Sequence, residues 1–187
     1  MKKSVHFVSC LAMLSALSAC AQEPPPPAEA PAEEIHETFA VVGSLAPLFE
    51  EVNGYVLASV EQASDELLAY RPTDEVRTFG QILGHVAMAQ YWFCNGAMGG
   101  GPEPENYEEL TTGADLTAAL QAAFDHCAEA YAVNDTRALE RVSLWGQNNT
   151  RLWVLSYNVA HTWEHYGNLV TYMRANGMVP PSSQQGM

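Results

Sequence analysis

Residues 152–182 read LWVLSYNVAHTWEHYGNLVTYMRANGMVPPS, and the way this stretch must lie decides the fold. Leu155, Thr162, Tyr166, Leu169 and Met173 recur at three-, four- and seven-residue steps, which is one face of an α-helix. The spacing predicts a helix from Thr150 to Asn176, the longest of the chain. Gly177 ends it, and Pro180-Pro181 prevents its resumption. His161 and His165 stand four apart on the flank of the stripe, beside Asn158. Their imidazoles therefore leave the same side, about 6 Å apart along the axis. Two imidazoles so placed can hold one divalent ion. The same spacing also suits two boundary histidines, each bonded to a carbonyl or to water.

Upstream, residues 78–99 read TFGQILGHVAMAQYWFCNGAMG. Thr78 is a good N-cap, and Phe79, Ile82, Leu83, Val86, Ala89, Gln90 and Phe93 form one side of a second helix. The glycines from Gly96 to Gly101 stop it. His85 lies within the stripe bounded by Ile82, Ala89 and Trp92. Inward histidines are costly unless each finds a partner. One metal ion would satisfy all three, and so would three separate hydrogen bonds.

Further outward, Leu45, Leu48, Phe49, Val52, Val56, Val60, Ala63 and Leu67 predict a single first helix from Ser44 to Ala69. Leu116, Leu120, Ala123, Phe124, Cys127 and Tyr131 predict another from Ala114 to Val133. The polar connection from Gly99 to Gly113 is long enough to cross a bundle. Asn134 to Asn149 reads as irregular, and no segment shows convincing apolar alternation. The expectation is an all-α, four-helix chain with a long crossover between its second and third helices.

The remaining sequence bears on location. Lys2 and Lys3 precede an apolar stretch, Val5 to Ala19, that ends in Leu17-Ser18-Ala19-Cys20. This resembles the lipobox of bacterial lipoproteins, in which the peptide is cut before a cysteine that becomes lipidated; an ordinary secretory signal would equally export the chain. The expected organisation is a signal over 1–19 and a tether over 20–43, with lipidated Cys20 and the proline-rich AQEPPPPAEAPAEE. A bundle over 44–182 and a disordered tail over 183–187 follow. His36 falls in the tether. The expected location is the cell envelope, at the periplasmic face of the outer membrane. With both lysines in the signal, six arginines face 22 acidic residues, a net charge of −16. Such a surface repels phosphate backbones and anionic lipid, so nucleic acid is excluded as a partner and the acyl chains must anchor the protein. A homodimer through a helical face is compatible with the pattern. Once Cys10 and Cys20 are assigned to the leader and the lipid, Cys94 and Cys127 remain, either as a disulfide or as two buried thiols.

The segments 78–99 and 152–182 resemble the second and last helices of DinB/YfiT-like proteins. In that family a histidine of the second helix and two histidines four apart on the last helix are metal ligands. The resemblance implies His85, His161 and His165 as ligands, and a bundle of up-down-down-up connectivity. Where relatives commonly carry His-Arg-Gly, this chain has His165-Tyr166-Gly167, so a substrate contact by that arginine is missing. Parallel second and third helices would bring Cys94 and Cys127 to nearly the same height, which favours the disulfide. Three imidazoles leave a coordination position open, and Zn²⁺ is the first choice, with Ni²⁺ and Fe²⁺ next. Asn158 and Glu164 are candidates to orient ligands or touch a substrate. His126 is more naturally a boundary residue. The family implies a range of reactions on small molecules, from hydrolysis to thiol transfer. The competing reading is a non-catalytic, lipid-anchored module that binds metal or ligand or supports other envelope proteins.

Overall fold

The three longest helices each begin at a threonine whose side chain accepts an otherwise unpaired first-turn N–H. In the computed structural model, which describes residues 41–184, Thr78 opens α3 (Phe79–Met98) with a full capping box. Its hydroxyl accepts from the Gln81 N–H, and the Gln81 side chain accepts from the Thr78 N–H. Thr112 caps α4 (Gly113–Tyr131), and Thr150 caps α6 (Arg151–Ala175). Gly99, at φ 85°, and Gly177, at φ 73°, take the left-handed conformation just past α3 and α6. The leader, Cys20, His36 and the whole proline-rich stretch lie outside the described residues.

Two segments differ from the sequence expectation. The predicted first helix is broken. α1 (Ala46–Glu61) ends at Gln62, and Ser64 caps a separate short helix, α2 (Asp65–Ala69), by accepting the Leu67 N–H. Val60, Ala63 and Leu67 keep helical spacing across the break, which hides it from periodicity. The second difference is a β-hairpin in the segment read as irregular. After the short α5 (Asp135–Ala138), β1 (Arg141–Leu144) pairs antiparallel with β2 (Gln147–Thr150). Trp145 and Gly146 turn the chain at φ 51° and 76°, the two positive values that match strand twist in a two-residue turn. Gln147, Asn148 and Asn149 offer no apolar alternation, so only the turn could have signalled the hairpin.

The described chain is predominantly helical. α3 packs most extensively on α4 and α6, and α1 closes the other side between those two. Near their beginnings, α3 and α4 touch at Gly80, where a Cβ would sit 3.6 Å from the Leu116 side chain. Near their ends a disulfide joins Cys94 to Cys127, with Cα atoms 5.3 Å apart. Across α3 and α6, Gln90 donates to Thr162 Oγ1 at 2.9 Å, and the Tyr172 hydroxyl of α6 donates to the carbonyl of Arg77, just before α3, at 3.0 Å.

Two apolar clusters form the core. One gathers Val56, Phe79, Leu83, Leu120 and Leu169, and the other Phe49, Phe93, Tyr131, Val154 and Leu155. The folded part also reaches beyond the predicted limits. Val41 and Val42 donate backbone N–H bonds to the Asp135 carboxylate, and Val42 is buried. At the other end, Gln184 donates to the Gln62 side chain at 2.9 Å.

Candidate metal centre

His85 projects from α3 toward His161 and His165 on α6. The two α6 imidazoles approach edge to edge, with Nε2 atoms 3.1 Å apart. The His85 ring centroid lies 5.3 Å from that of His161 and 4.8 Å from that of His165. One ligand atom from each residue can be chosen so that all lie within 4.8 Å of one another. Two nitrogens bound to one tetrahedral Zn²⁺ at about 2.0–2.1 Å stand about 3.3 Å apart, so the His161–His165 spacing suits a shared ion.

The hydrogen-bond inventory points the same way. The Nδ1 atoms of His161 and His165 are buried with no hydrogen-bond partner among the described residues. Their Nε2 atoms face each other, although a neutral pair could make only one hydrogen bond there. Burial is the first cause that lowers both side chains, His161 to about 4 and His165 to about 3. Neighbouring histidines and Arg77 add to it. His85 is also lowered, by burial and by Arg77, against the opposing influence of Glu108. All three are therefore neutral near pH 7, the form that donates a lone pair to a metal.

The third histidine has a partner that the sequence did not reveal. His85 Nδ1 lies 3.0 Å from Glu108 Oε1, and Arg77 Nε donates to Glu108 Oε2 at 3.1 Å. Partial burial works to raise the Glu108 carboxyl, but Arg77 and His85 hold it below the ordinary carboxylate range. Glu108 comes from the long connection, on a 3-10 turn (Tyr107–Glu109) that lies against α3. Gly84 makes that approach possible, because a Cβ there would overlap the Tyr107 carbonyl. A glycine directly before a candidate ligand was the only sequence cue to this contact.

Beside the centre is a cleft of about 570 Å³ lined by Arg77, Gln81, Glu108, His165, Asn168 and Tyr172, together with Glu75, Val76 and Ile82. On the opposite flank, Phe93 meets His161 edge-on at 5.2 Å and also contacts Trp145 and Tyr157. Trp92 lies edge-on to His85 at 6.1 Å.

The other predicted site residues lie apart from the three imidazoles. Asn158 is buried and donates to Gln90 Oε1 at 2.8 Å and to the Tyr131 hydroxyl at 3.2 Å. None of its hydrogen bonds reaches a histidine. Glu164 is exposed and acts on His85 only through its charge. His126 bonds Asn95 at 2.8 Å and stacks on Tyr91. Trp163 packs on Tyr55 and Tyr166, while the half-exposed Trp153 stacks on Tyr157.

Two solved structures share the fold. A DinB-like protein from Bacillus cereus superposes with a TM-score of 0.66 at 17% identity, covering 74% of this chain and 95% of that one. A DinB-like protein from Bacillus subtilis superposes with a TM-score of 0.62 at 18% identity, covering 77% and 99%. No curated protein matches the chain. The family model of the DinB superfamily matches residues 48–169, a span that runs from the first core helix past all three clustered histidines. With that match extending over most of the sequence and the fold shared with two DinB-like structures, the chain belongs to the DinB superfamily.

Proposed function

We propose that this protein is an exported, lipid-anchored DinB-superfamily member that holds one divalent transition metal on His85, His161 and His165. At the adjacent cleft it acts as a metal-dependent hydrolase or thiol transferase on a small molecule. The observation that carries this reading is the meeting of three neutral imidazoles, two with Nε2 atoms 3.1 Å apart, next to an open cleft. Imidazole ligation makes Zn²⁺ the first choice, with Ni²⁺ and Fe²⁺ next. An ion with three protein ligands supplies Lewis-acid polarisation at its open position.

The chain's own groups would do the rest. Arg77, Gln81 and Asn168 offer polar contacts for a substrate along the cleft, and the Glu108 carboxylate adds a fixed negative charge to its wall. The aromatic flank built on Phe93 shields the opposite side of His161 from water. Up-down-down-up connectivity is supported by two contacts between α3 and α4, Gly80 with Leu116 near their beginnings and Cys94 with Cys127 near their ends. Export is supported by the Leu17-Ser18-Ala19-Cys20 sequence and by the Cys94–Cys127 disulfide, a bond that persists in oxidising compartments.

A non-catalytic metal-holding module is the competing reading. It calls for a closed site on which folding depends. The open cleft at His165 argues against it. The deciding experiment is elemental analysis of the protein purified without a histidine tag, beside a His161→Ala/His165→Ala variant. About one equivalent of metal in the wild type and none in the variant supports the reading, and justifies screening hydrolysis and thiol-transfer substrates. A wild type that holds no metal even after Zn²⁺, Ni²⁺ and Fe²⁺ are added back would sink it.

A further inference from the structure

Glu108 lies outside the residues through which the family pattern was recognised, yet three independent features fix it on the metal centre. The first is its contact with a ligand. Glu108 Oε1 is 3.0 Å from His85 Nδ1, and both side chains are mostly withdrawn from solvent. The second is its restraint from the other side. Glu108 Oε2 accepts from Arg77 Nε at 3.1 Å, and Arg77 directly precedes the Thr78 cap of α3. The carboxylate is thus held at both oxygens by groups of one helix and its approach. The third is its seat. The backbone of Tyr107 and Glu108 fills the space that a side chain at Gly84 would occupy, with the Glu108 nitrogen 2.8 Å from that Cβ position. Gly84 immediately precedes His85, so one turn of α3 provides both the seat for the loop and the imidazole it meets.

We infer that Glu108 is the positioning residue of the centre, holding His85 with its Nδ1–H on the carboxylate and its Nε2 lone pair toward the ion. This rests on the metal-binding reading above. A neutral imidazole carries one N–H, and a carboxylate can only accept, so the contact dictates which nitrogen bears the proton. A metal-bound histidine that donates its other N–H to a carboxylate is oriented and made more basic by it. His161 and His165 have no such partner among the described residues. Glu108 therefore supplies the one built-in orienting contact, and Arg77 keeps the carboxylate from turning away.

Two measurements test this in the full-length protein. The first uses the metal-free form, where ¹⁵N chemical shifts of the imidazoles at neutral pH report the tautomers. His85 is expected as the Nδ1–H tautomer in the wild type, and Glu108→Ala should shift it toward Nε2–H. The second is a competition titration with Zn²⁺ alone. Glu108→Ala should weaken binding about 10- to 100-fold, while the melting temperature of the metal-free form stays near the wild-type value. Glu108→Gln keeps an acceptor of the same shape without the charge, so it should fall in between. It also stands in for the alanine variant should that fail to fold. Gly84→Ala, which changes no polar group, should weaken Zn²⁺ by unseating the turn.

An Nε2–H tautomer of His85 in the wild type would overturn the inference, as would wild-type Zn²⁺ affinity in both Glu108 variants. If the wild type binds no metal at all, the metal-binding reading fails, and the tautomer measurement still decides what Glu108 does to His85.

Discussion

Asn158 on α6 donates a 2.8 Å hydrogen bond to Gln90 Oε1 on α3, with relative exposures of 0% and 1% for the two residues. Gln90 passes the connection back to α6 by donating to Thr162, and Asn158 also donates to the Tyr131 hydroxyl on α4. A polar chain thus ties three helices together where water cannot replace a lost partner. Asn158→Ala should destabilise the fold by about 1–3 kcal/mol, since it strands the Gln90 oxygen. Urea denaturation would show this as a lower midpoint with unchanged slope. Zn²⁺ stoichiometry should not change, because no Asn158 hydrogen bond reaches a histidine. Loss of metal in this variant would restore Asn158 to the coordination environment.

The disulfide predicts a larger effect. Cys94 and Cys127 are 33 residues apart in sequence, and both are fully buried. Closing a loop of that length in the unfolded chain contributes about 3–4 kcal/mol on the chain-entropy account. The Cys94→Ala/Cys127→Ala variant should lose stability of that order. The oxidised wild type should give no thiol reaction at either position until it is denatured in reductant.

Acid should weaken the metal-free protein over a defined range. The folded state lowers His161 to about 4 and His165 to about 3, chiefly by burial, while in the unfolded chain both titrate near pH 6.5. Between those values the unfolded state binds more protons, so stability rises with pH. The contribution is complete above about pH 6.5 and is lost as pH falls through about 4 for His161 and about 3 for His165. Denaturation midpoints should drop between pH 7 and pH 5, and the His161→Ala/His165→Ala variant should show a flatter dependence. An equally steep profile in that variant would assign the acid sensitivity elsewhere.

The hairpin turn offers a local test. Gly146 sits at φ 76°, a conformation that costs a residue with a Cβ about 1 kcal/mol. Gly146→Ala should lower stability by that amount and leave metal content unchanged. A much larger loss would mean that Trp145, which reaches His161 through Phe93, had been displaced.

The two helices that bear the clustered histidines are legible in the sequence because cap, stripe and stop signals coincide. Thr78 and Gly99 bracket α3, and Thr150 and Gly177 bracket α6. Periodicity carries the eye across Ser64, where a serine followed by two acids is in fact a helix start. The β2 strand escapes because its pairing is satisfied by the backbone, whatever Gln147, Asn148 and Asn149 carry. The site is half legible for a related reason. Helical spacing brings His161 and His165 together, and the family pattern adds His85. Glu108 reaches His85 through a non-repetitive loop, across a gap defined by the absence of a side chain at Gly84. Asn158 shows the converse, since closeness in sequence to a ligand does not by itself bring a hydrogen bond to it.

Val42, pinned to Asp135 beside the start of α6, places the first described residues at that end of the bundle. His165 and Tyr172, which line the cleft, are 14 and 21 residues further along α6 than Arg151, or about 20–30 Å at 1.5 Å per residue. The described residues therefore begin at the end far from the cleft mouth. A label carried at exposed Val41 would stand at that end and leave access to the histidines open.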